Sequence, residues 1–445
     1  MPYIANTPQD QNEMLSTCGY SDLNDLWRDT GIPNLNTDFS ELNSSLSEYE
    51  VSSYLQKLSE QNRTGLLNFL GAGYYDHLIP AAVGNIIGRS EFYTAYTPYQ
   101  PEASQGTLQA IYEYQTAICR LTSMEVSNAS MYDGGTALFE AMMLAVRVTG
   151  KRKAIISGAV SPIFRKMIQC YSDNLDIELI EISAGILDSN LELILNAIDN
   201  ETACVLVQYP NVFGTIEDWT ELIKHIHKKN ALAVCSAYPI ALALLKPPGE
   251  MGFDIVTGEG QSLGIPLNFG GPYLGFMAIT KKLMRKLPGR IVGRTKDRNG
   301  KEGFVLTLQA REQHIRRASA MSNICSNENL CALSAIVYLS CIGKQGLIEV
   351  AQLCAAKASY LKKEILKIEG VDELESTAFF NEFVVSLPMD ASEFVGKMIN
   401  KGFAAGFPLG RYYKERQNQL LIAVTEKRTK EEIKAFANAM EAVLK

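Results

Sequence analysis

Four stretches of this sequence combine residue types able to act on a bound anion or cofactor. Met131-Tyr132-Asp133-Gly134-Gly135-Thr136 stands directly before an apolar helical run. Two glycines and a threonine at a helix start can point backbone N–H groups at a phosphate, and the Thr136 hydroxyl can cap the helix or bond the anion. An ordinary Gly-rich turn accounts for the same residues. Val207-Gln208-Tyr209-Pro210-Asn211-Val212-Phe213-Gly214-Thr215-Ile216-Glu217-Asp218 ends a strand and turns into an acid-started helix. Loops at the carboxyl ends of parallel strands are where α/β sheets bind ligands, although Pro210 and Gly214 also suit a turn that only sets backbone angles. Gly258-Glu259-Gly260-Gln261-Ser262-Leu263-Gly264-Ile265-Pro266, followed by Gly270-Gly271-Pro272, is a polar Gly-rich loop that lets backbone approach a ligand closely. No lysine or arginine occurs from residue 247 to residue 280, so this loop offers no amine nucleophile. The fourth stretch runs from Arg89 to Gly106 and carries Tyr93, Tyr96, Tyr99, Ser104 and Gln105 without a clear helical or strand period. Its tyrosines suit a core or an interface as well as a ligand contact.

The elements that must position these stretches alternate. Apolar runs at 153–157, 177–182, 204–208, 231–235, 254–257 and 273–279 read as strands. Between them, 137–148 reads as a buried helix ended by Gly150, 162–171 as a helix with Pro162 in its first turn, and 191–198 and 217–229 as further helices. That alternation predicts an α/β fold with a mostly parallel sheet covered on both faces. A long helical region at 329–368 precedes strands at 383–387 and 419–424 and a closing helix at 429–444, a small α+β unit. The first sixty or so residues are polar, with helical pieces at 10–15 and 47–60, and read as an arm laid over another domain or subunit. The domain boundaries expected are therefore 1–62, 63–325 and 326–445.

Composition narrows the function classes. The chain has 445 residues and a net charge of -7, which argues against a nucleic-acid binder. The start, MPYIANTPQDQNEML, lacks the basic and apolar pattern of a signal peptide, and the apolar stretch 331–339 is too short to span a bilayer, so no membrane partner is expected. Nine cysteines without Cys-x-x-Cys pairs read as reduced thiols of a cytoplasmic protein. Among four histidines, His225 and His227 fall on different helix faces, so no metal site is expected. The basic run 311–317 reads as a solvated helix face, with pairing of its guanidinium groups to carboxylates of a partner as the alternative.

Long ungapped motifs carry a resemblance. FLGAGYYDHLIP at 69–80, RSEFYTAYTPYQPEASQG, SNASMYDGGTA, LALLKPPGEMGFDIVTGEGQSLGIPLNFGGPYLGF, LQAREQHIRRASAMSNIC and FFNEF together resemble the P-protein family of the glycine cleavage system, in the first of its two subunit types. The resemblance runs from the first residues to the last helix. It implies an aminotransferase-like large domain, of the pyridoxal phosphate fold type I, with a small C-terminal domain. It also implies a pseudo-symmetric pair with subunit 2, glycine as substrate, release of CO2, and transfer of the aminomethyl group to the lipoyl group of H-protein. In such folds the helix after the Gly-rich turn holds the cofactor phosphate, which points to Gly134, Gly135 and Thr136.

Set against that pattern, the chain departs where the cofactor would be bound. The lysine position falls on Gln261. The acid expected beside the ring nitrogen is missing, with Ser236 or its neighbours in its place. Ser161 stands where the family often has histidine, and Tyr238 where it often has aspartate. The expectation is a chain that makes no covalent bond to pyridoxal phosphate, is inactive alone, and works with a partner that holds the cofactor. Tyr93, Tyr96, Tyr99, Ser104 and Gln105 are then expected to face the partner's active-site cleft. The alternative is a structural or regulatory subunit without a part in catalysis.

Overall fold

The structure, a computed structural model, describes residues 5–31, 40–268 and 270–445. Phe269 of the Gly-rich loop and residues 1–4 and 32–39 of the arm lie outside the described residues. The chain divides into two units, Met1–Thr64 and Gly65–Lys445.

The first unit carries three helices, each started by a residue that caps it. Thr7 and Asp10 form a capping box for α1 (Pro8–Thr17), Asp22 caps α2 (Leu23–Asp29), and Ser47 and Glu50 form a second box for α3 (Glu48–Ser59). None of the three buries a residue. On α3, Val51, Tyr54, Leu55 and Leu58 are exposed at the i, i+3, i+4, i+7 spacing of one helix face.

The second unit is built on a seven-stranded sheet. Its strands are β1 (Val126–Ser127), β2 (Lys153–Ser157), β3 (Glu178–Ile182), β4 (Thr202–Tyr209), β5 (Leu232–Ala237), β6 (Ile255–Glu259) and β7 (Gly275–Ile279), in the spatial order β1-β7-β6-β5-β4-β2-β3. β6, β5, β4, β2 and β3 run parallel, and β7 is antiparallel to both neighbours. The alternation read from sequence has its cause in the two faces. Val205, Val207, Ala233, Cys235 and Val256 point into one core with α4 (Gln105–Thr122). Cys204, Leu206, Leu232, Val234 and Ile255 point into the other with α5 (Gly134–Thr149) and α6 (Pro162–Ser172). Two shorter helices, α7 (Leu191–Ala197) and α8 (Thr220–Lys228), complete the crossovers on the first face. A hairpin of β8 (Ile291–Lys296) and β9 (Glu302–Thr307) follows the sheet.

The apolar stretch 331–339 is the beginning of a much longer helix, α9 (Asn329–Ile365), bent at Gly343 where φ is 62°. By length and composition α9 is long and apolar enough to cross a membrane, but it is a core helix. Ala332, Ala335, Tyr338, Ala351 and Cys354 are buried in the core shared with α4, and Ser334 donates to the Gly264 carbonyl at 2.7 Å. Beyond it a four-stranded sheet of β10 (Asp372–Glu373), β11 (Glu382–Ser386), β12 (Phe407–Pro408) and β13 (Gln419–Ala423) runs in the order β10-β11-β13-β12 and is antiparallel throughout. α10 (Ala391–Asn400) and α11 (Lys430–Leu444) cover it, closing a core of Phe69, Phe383, Phe394 and Phe436.

Candidate functional site

Chain direction leaves one natural crevice. After β2 the chain moves outward to β3, then returns to the other side of β2 as β4, so the loops leaving β2 and β4 diverge at their carboxyl ends. A cleft opens there, lined by Tyr75, Ser161, Gln208, Gly214, Ser236, Tyr238, Glu259 and Glu382 among others, and the space free for water is about 30 Å³. That is room for a water molecule or two.

The Gly-rich turn lies beside Glu259 of this cleft, and the N–H groups of Gly134 and Thr136 are already taken. Asp133 caps α5, accepting from the Thr136 N–H at 2.8 Å and from the Thr136 hydroxyl at 2.7 Å. Gly134 N–H donates to Glu259 Oε2 at 3.0 Å. The two glycines answer a packing need. A Cβ on Gly134 would meet the Glu259 backbone nitrogen at 2.9 Å, and one on Gly135 would meet Met167 Cε at 2.6 Å.

Gln261 is buried, and its amide is fully engaged with backbone. Oε1 accepts from Tyr75 N–H at 3.0 Å, and Nε2 donates to the Tyr75 carbonyl at 3.1 Å and the Ile265 carbonyl at 2.7 Å. An amide suits this place because it pairs with a peptide group in both directions at once. Ser236 lies on β5 and Ser161 just before α6, both buried against the cleft. Ser161 N–H donates to Gln208 Oε1 at 2.7 Å, while its hydroxyl has no partner.

The Tyr-Pro-Asn turn is held by its own residues. Asn211 Oδ1 accepts from the N–H groups of Phe213 and Thr215, and Asn211 Nδ2 donates to Glu217 at 2.7 Å. Gly214, at φ +87°, lets the loop cross the β11 backbone: a Cβ there would sit 2.0 Å from the Glu382 carbonyl oxygen.

Sequence reasoning gave no role to Glu382, Tyr75, His77 and Glu426, which with Glu259 and Tyr238 dominate the site. Glu382, the acid of the FFNEF motif, accepts from the Tyr75 hydroxyl at 2.6 Å and from Ala72 N–H at 3.0 Å. Burial pushes the Glu382 and Glu259 carboxyls up to about 7, against the hydrogen bonds that hold them down. Tyr75 stacks on Tyr238 with centroids 4.3 Å apart. The Tyr238 hydroxyl meets His77 Nε2 at 2.5 Å, and His77 Nδ1 meets Glu426 Oε2 at 2.7 Å. Glu426 also accepts from Leu78 N–H at 2.6 Å and from the Cys354 thiol at 3.4 Å. Burial acts to raise the Glu426 carboxyl, but the His77 hydrogen bond and charge prevail and hold it at about 2. The sequence offers no metal motif, yet the fold brings donor atoms of His77, Cys354 and Glu426 within 4.8 Å of one another. Each of them is paired inside this network.

The aromatic segment lies elsewhere on the same unit, and its members differ. Tyr93, Tyr96 and Tyr99 are 57%, 77% and 49% exposed. Tyr99 packs under the Arg290 guanidinium and edge-on to His314, and the Tyr96 hydroxyl bonds Ser326 at 2.7 Å. Ser104 precedes α4 without capping it through its side chain. Gln105 bonds both the N–H and the carbonyl of Phe304, so its amide is engaged by the hairpin. The basic run 311–317 is not a solvated helix face along its length. Arg311 turns inward to the Leu287 and Gly289 carbonyls, Glu312 is buried, and within the run only Gln313–Arg316 is α-helical. Two carbonyls left open by the turn at Pro288 draw the guanidinium in.

Comparison with known proteins places this architecture. The family described as glycine cleavage system P-protein matches residues 1–440. The chain is 50% identical over 444 residues to a protein of Oleidesulfovibrio alaskensis and 51% identical over 444 residues to one of Geotalea daltonii, each covered to 100% as is this chain. Both bear the name "Probable glycine dehydrogenase (decarboxylating) subunit 1". A crystal structure of glycine decarboxylase (P-protein) of the glycine cleavage system, in inhibitor-bound form, superposes with a TM-score of 0.92 at 40% identity over 100% of both chains. Glutamate decarboxylase of Lactobacillus brevis shares the fold at 12% identity, with a TM-score of 0.68 over 91% of this chain and 94% of that one. The two-faced parallel sheet, the antiparallel C-terminal sheet and full-length identity near one half lead to one conclusion: the chain belongs to the glycine cleavage system P-protein family, in its subunit 1 group.

Proposed function

We propose that this chain works as the subunit without a cofactor in a glycine-decarboxylating pair. Subunit 2 holds pyridoxal phosphate, which supplies the electron sink for CO2 loss. The aminomethyl group then passes to the lipoyl group of H-protein. The observation that supports this reading is Gln261, the residue that the family resemblance aligns with the cofactor lysine, buried with its amide bonded to backbone through both of its polar atoms. The other residues present do not fit the cofactor either. Ser236 cannot serve as an acid beside a ring nitrogen, and about 30 Å³ does not admit a pyridine ring. Nine cysteines, none in a disulfide among the described residues, support a cytoplasmic setting.

The test is reconstitution. The chain alone, mixed with pyridoxal phosphate and reduced with borohydride, should carry no pyridoxyl adduct on any lysine. Glycine–bicarbonate exchange should require both subunits. Exchange by subunit 2 alone at the full rate would instead make this chain a structural or regulatory subunit.

Two surfaces are the proposed contacts with the partner. Tyr96 and Tyr99 are exposed beside Arg290 and Ser326, so the segment offers aromatic and polar groups in a fixed arrangement. Tyr96→Phe and Ser104→Ala should lower turnover of the assembled pair by roughly tenfold, about 1.4 kcal/mol, while leaving its melting midpoint nearly unchanged. Unaltered kinetics in both would reduce the segment to packing. The stripe of Val51, Tyr54, Leu55 and Leu58 is the second contact, because an apolar helix face left exposed costs solubility unless something covers it. Leu55→Asp should weaken association with subunit 2 by roughly tenfold or more. Sedimentation of the mixed subunits reads this directly, and an unchanged dissociation constant would exclude the arm from the interface.

A further inference from the structure

Glu259 is an acid at an unusual place. It ends β6, is 6% exposed, and points its carboxyl group into the start of α5. Three backbone N–H groups from three segments converge on it. Gly134 at the start of α5 bonds Oε2 at 3.0 Å; Gln261 in the loop after β6 and Leu274 just before β7 bond Oε1 at 2.9 and 3.0 Å. These backbone N–H groups, one of them at the N-terminus of a sixteen-residue helix whose dipole adds to it, form an anion seat. A second feature points to a ligand at the same place. The Ser161 hydroxyl is buried at 3% exposure, lines the cleft with Glu259, and has no hydrogen-bond partner. A carboxyl group buried this deeply is costly unless hydrogen bonds compensate it. No cationic side chain is paired with Glu259 among the described residues; backbone dipoles provide all the compensation it has.

We propose that Glu259 is an internal ligand, its carboxylate occupying a seat that would otherwise take the phosphate group of a phosphate monoester. The chain thereby closes its own anion site. Gly134 is required for this arrangement, since a Cβ there would strike the Glu259 backbone and part the end of β6 from the turn. Burial and, to a lesser degree, the Asp133 charge push the carboxyl up while the three N–H groups hold it down, leaving it at about 7, so slightly alkaline conditions keep the seat filled by an ionised group. The inference builds on the reading that this chain holds no pyridoxal phosphate, and adds that the anion seat itself survives.

The experiment compares the full-length chain with its Glu259→Ala variant at about pH 8, with inorganic phosphate as the probe in calorimetry and thermal melting. The variant should bind phosphate at least tenfold more tightly than the unaltered chain, and its melting midpoint should rise with phosphate. Acetate, which returns a carboxylate, should raise that midpoint too, whereas chloride should not. Adding Ser161→Ala should weaken phosphate binding severalfold. A folded Glu259→Ala chain with no gain in phosphate affinity overturns the proposal. If that variant does not fold, Glu259→Gln keeps the volume but sets an amide N–H2 against a backbone N–H. Its midpoint should fall, and an unchanged or higher midpoint also overturns the proposal. A borohydride-stable pyridoxyl adduct on the unaltered chain would defeat the underlying reading instead, so the two failures are distinguishable.

Discussion

Gln261→Lys is expected to give no glycine decarboxylation in the isolated chain, although it restores the residue type a pyridoxal phosphate enzyme needs. The amine would enter a site built for an amide. Tyr75 N–H, which now donates to Gln261 Oε1, would lose its acceptor, while the carbonyls of Tyr75 and Ile265 would bind the new ammonium. An ammonium held by two buried carbonyls is not a free nucleophile. The orphaned N–H costs about 1–3 kcal/mol, so the variant should also melt earlier than the unaltered chain. Neither Ser236 nor the small cleft supplies what a bound ring requires. Radiolabelled CO2 release and mass spectrometry after borohydride reduction measure the outcome. Decarboxylation by Gln261→Lys alone, or a native adduct on the exposed Lys246, would mean that the cofactor belongs to this subunit.

The sequence made the absence of a lysine legible, because a missing residue type can be read without knowing any contact. The sheet was legible for a related reason. Each central strand is buried on both faces, so runs such as 154–156 and 203–207 are apolar throughout, and the short continuous apolar run between turn residues locates them. The interior of the site was not legible. Glu382 meets Ala72 across 310 positions and His77 meets Glu426 across 349, and local pattern says nothing about pairs so far apart. FFNEF did contain a signal: an acid inside an apolar strand must find buried donors or leave the strand. Gly134 and Gly135 show the other limit. Their type and place suited a phosphate, but which anion fills the turn depends on Glu259, 125 residues further on. Likewise Arg311 looked solvated because nothing in a charge run reveals two unpaired carbonyls at 287 and 289.

His77→Ala is expected to cost about 3–5 kcal/mol near pH 7, because it strips a buried carboxylate of its principal partner. The side chains of His77 and Glu426 are 2% and 7% exposed and 2.7 Å apart. After the substitution Glu426 would keep Leu78 N–H and the Cys354 thiol, and the Tyr238 hydroxyl would lose its partner on His77. The pH dependence separates this cause from simple loss of volume. Glu426 is held at about 2, below the ordinary value of 4.5, so it binds fewer protons folded than unfolded in that window. Its contribution, about 3 kcal/mol, is present above pH 4.5 and is lost as pH falls through 2. Glu259 and Glu382 have the opposite sign. Both are raised to about 7, so their contribution is greatest below pH 4.5 and diminishes as pH rises to 7. The gap between His77→Ala and the unaltered chain should therefore narrow as the solution is acidified below 4.5, while the decline from pH 4.5 to 7 is common to both. Urea midpoints measured from pH 3 to pH 8 would show it, and His77→Asn, which can still donate to Glu426, should recover part of the loss. A loss that is the same at every pH would assign His77 to packing alone.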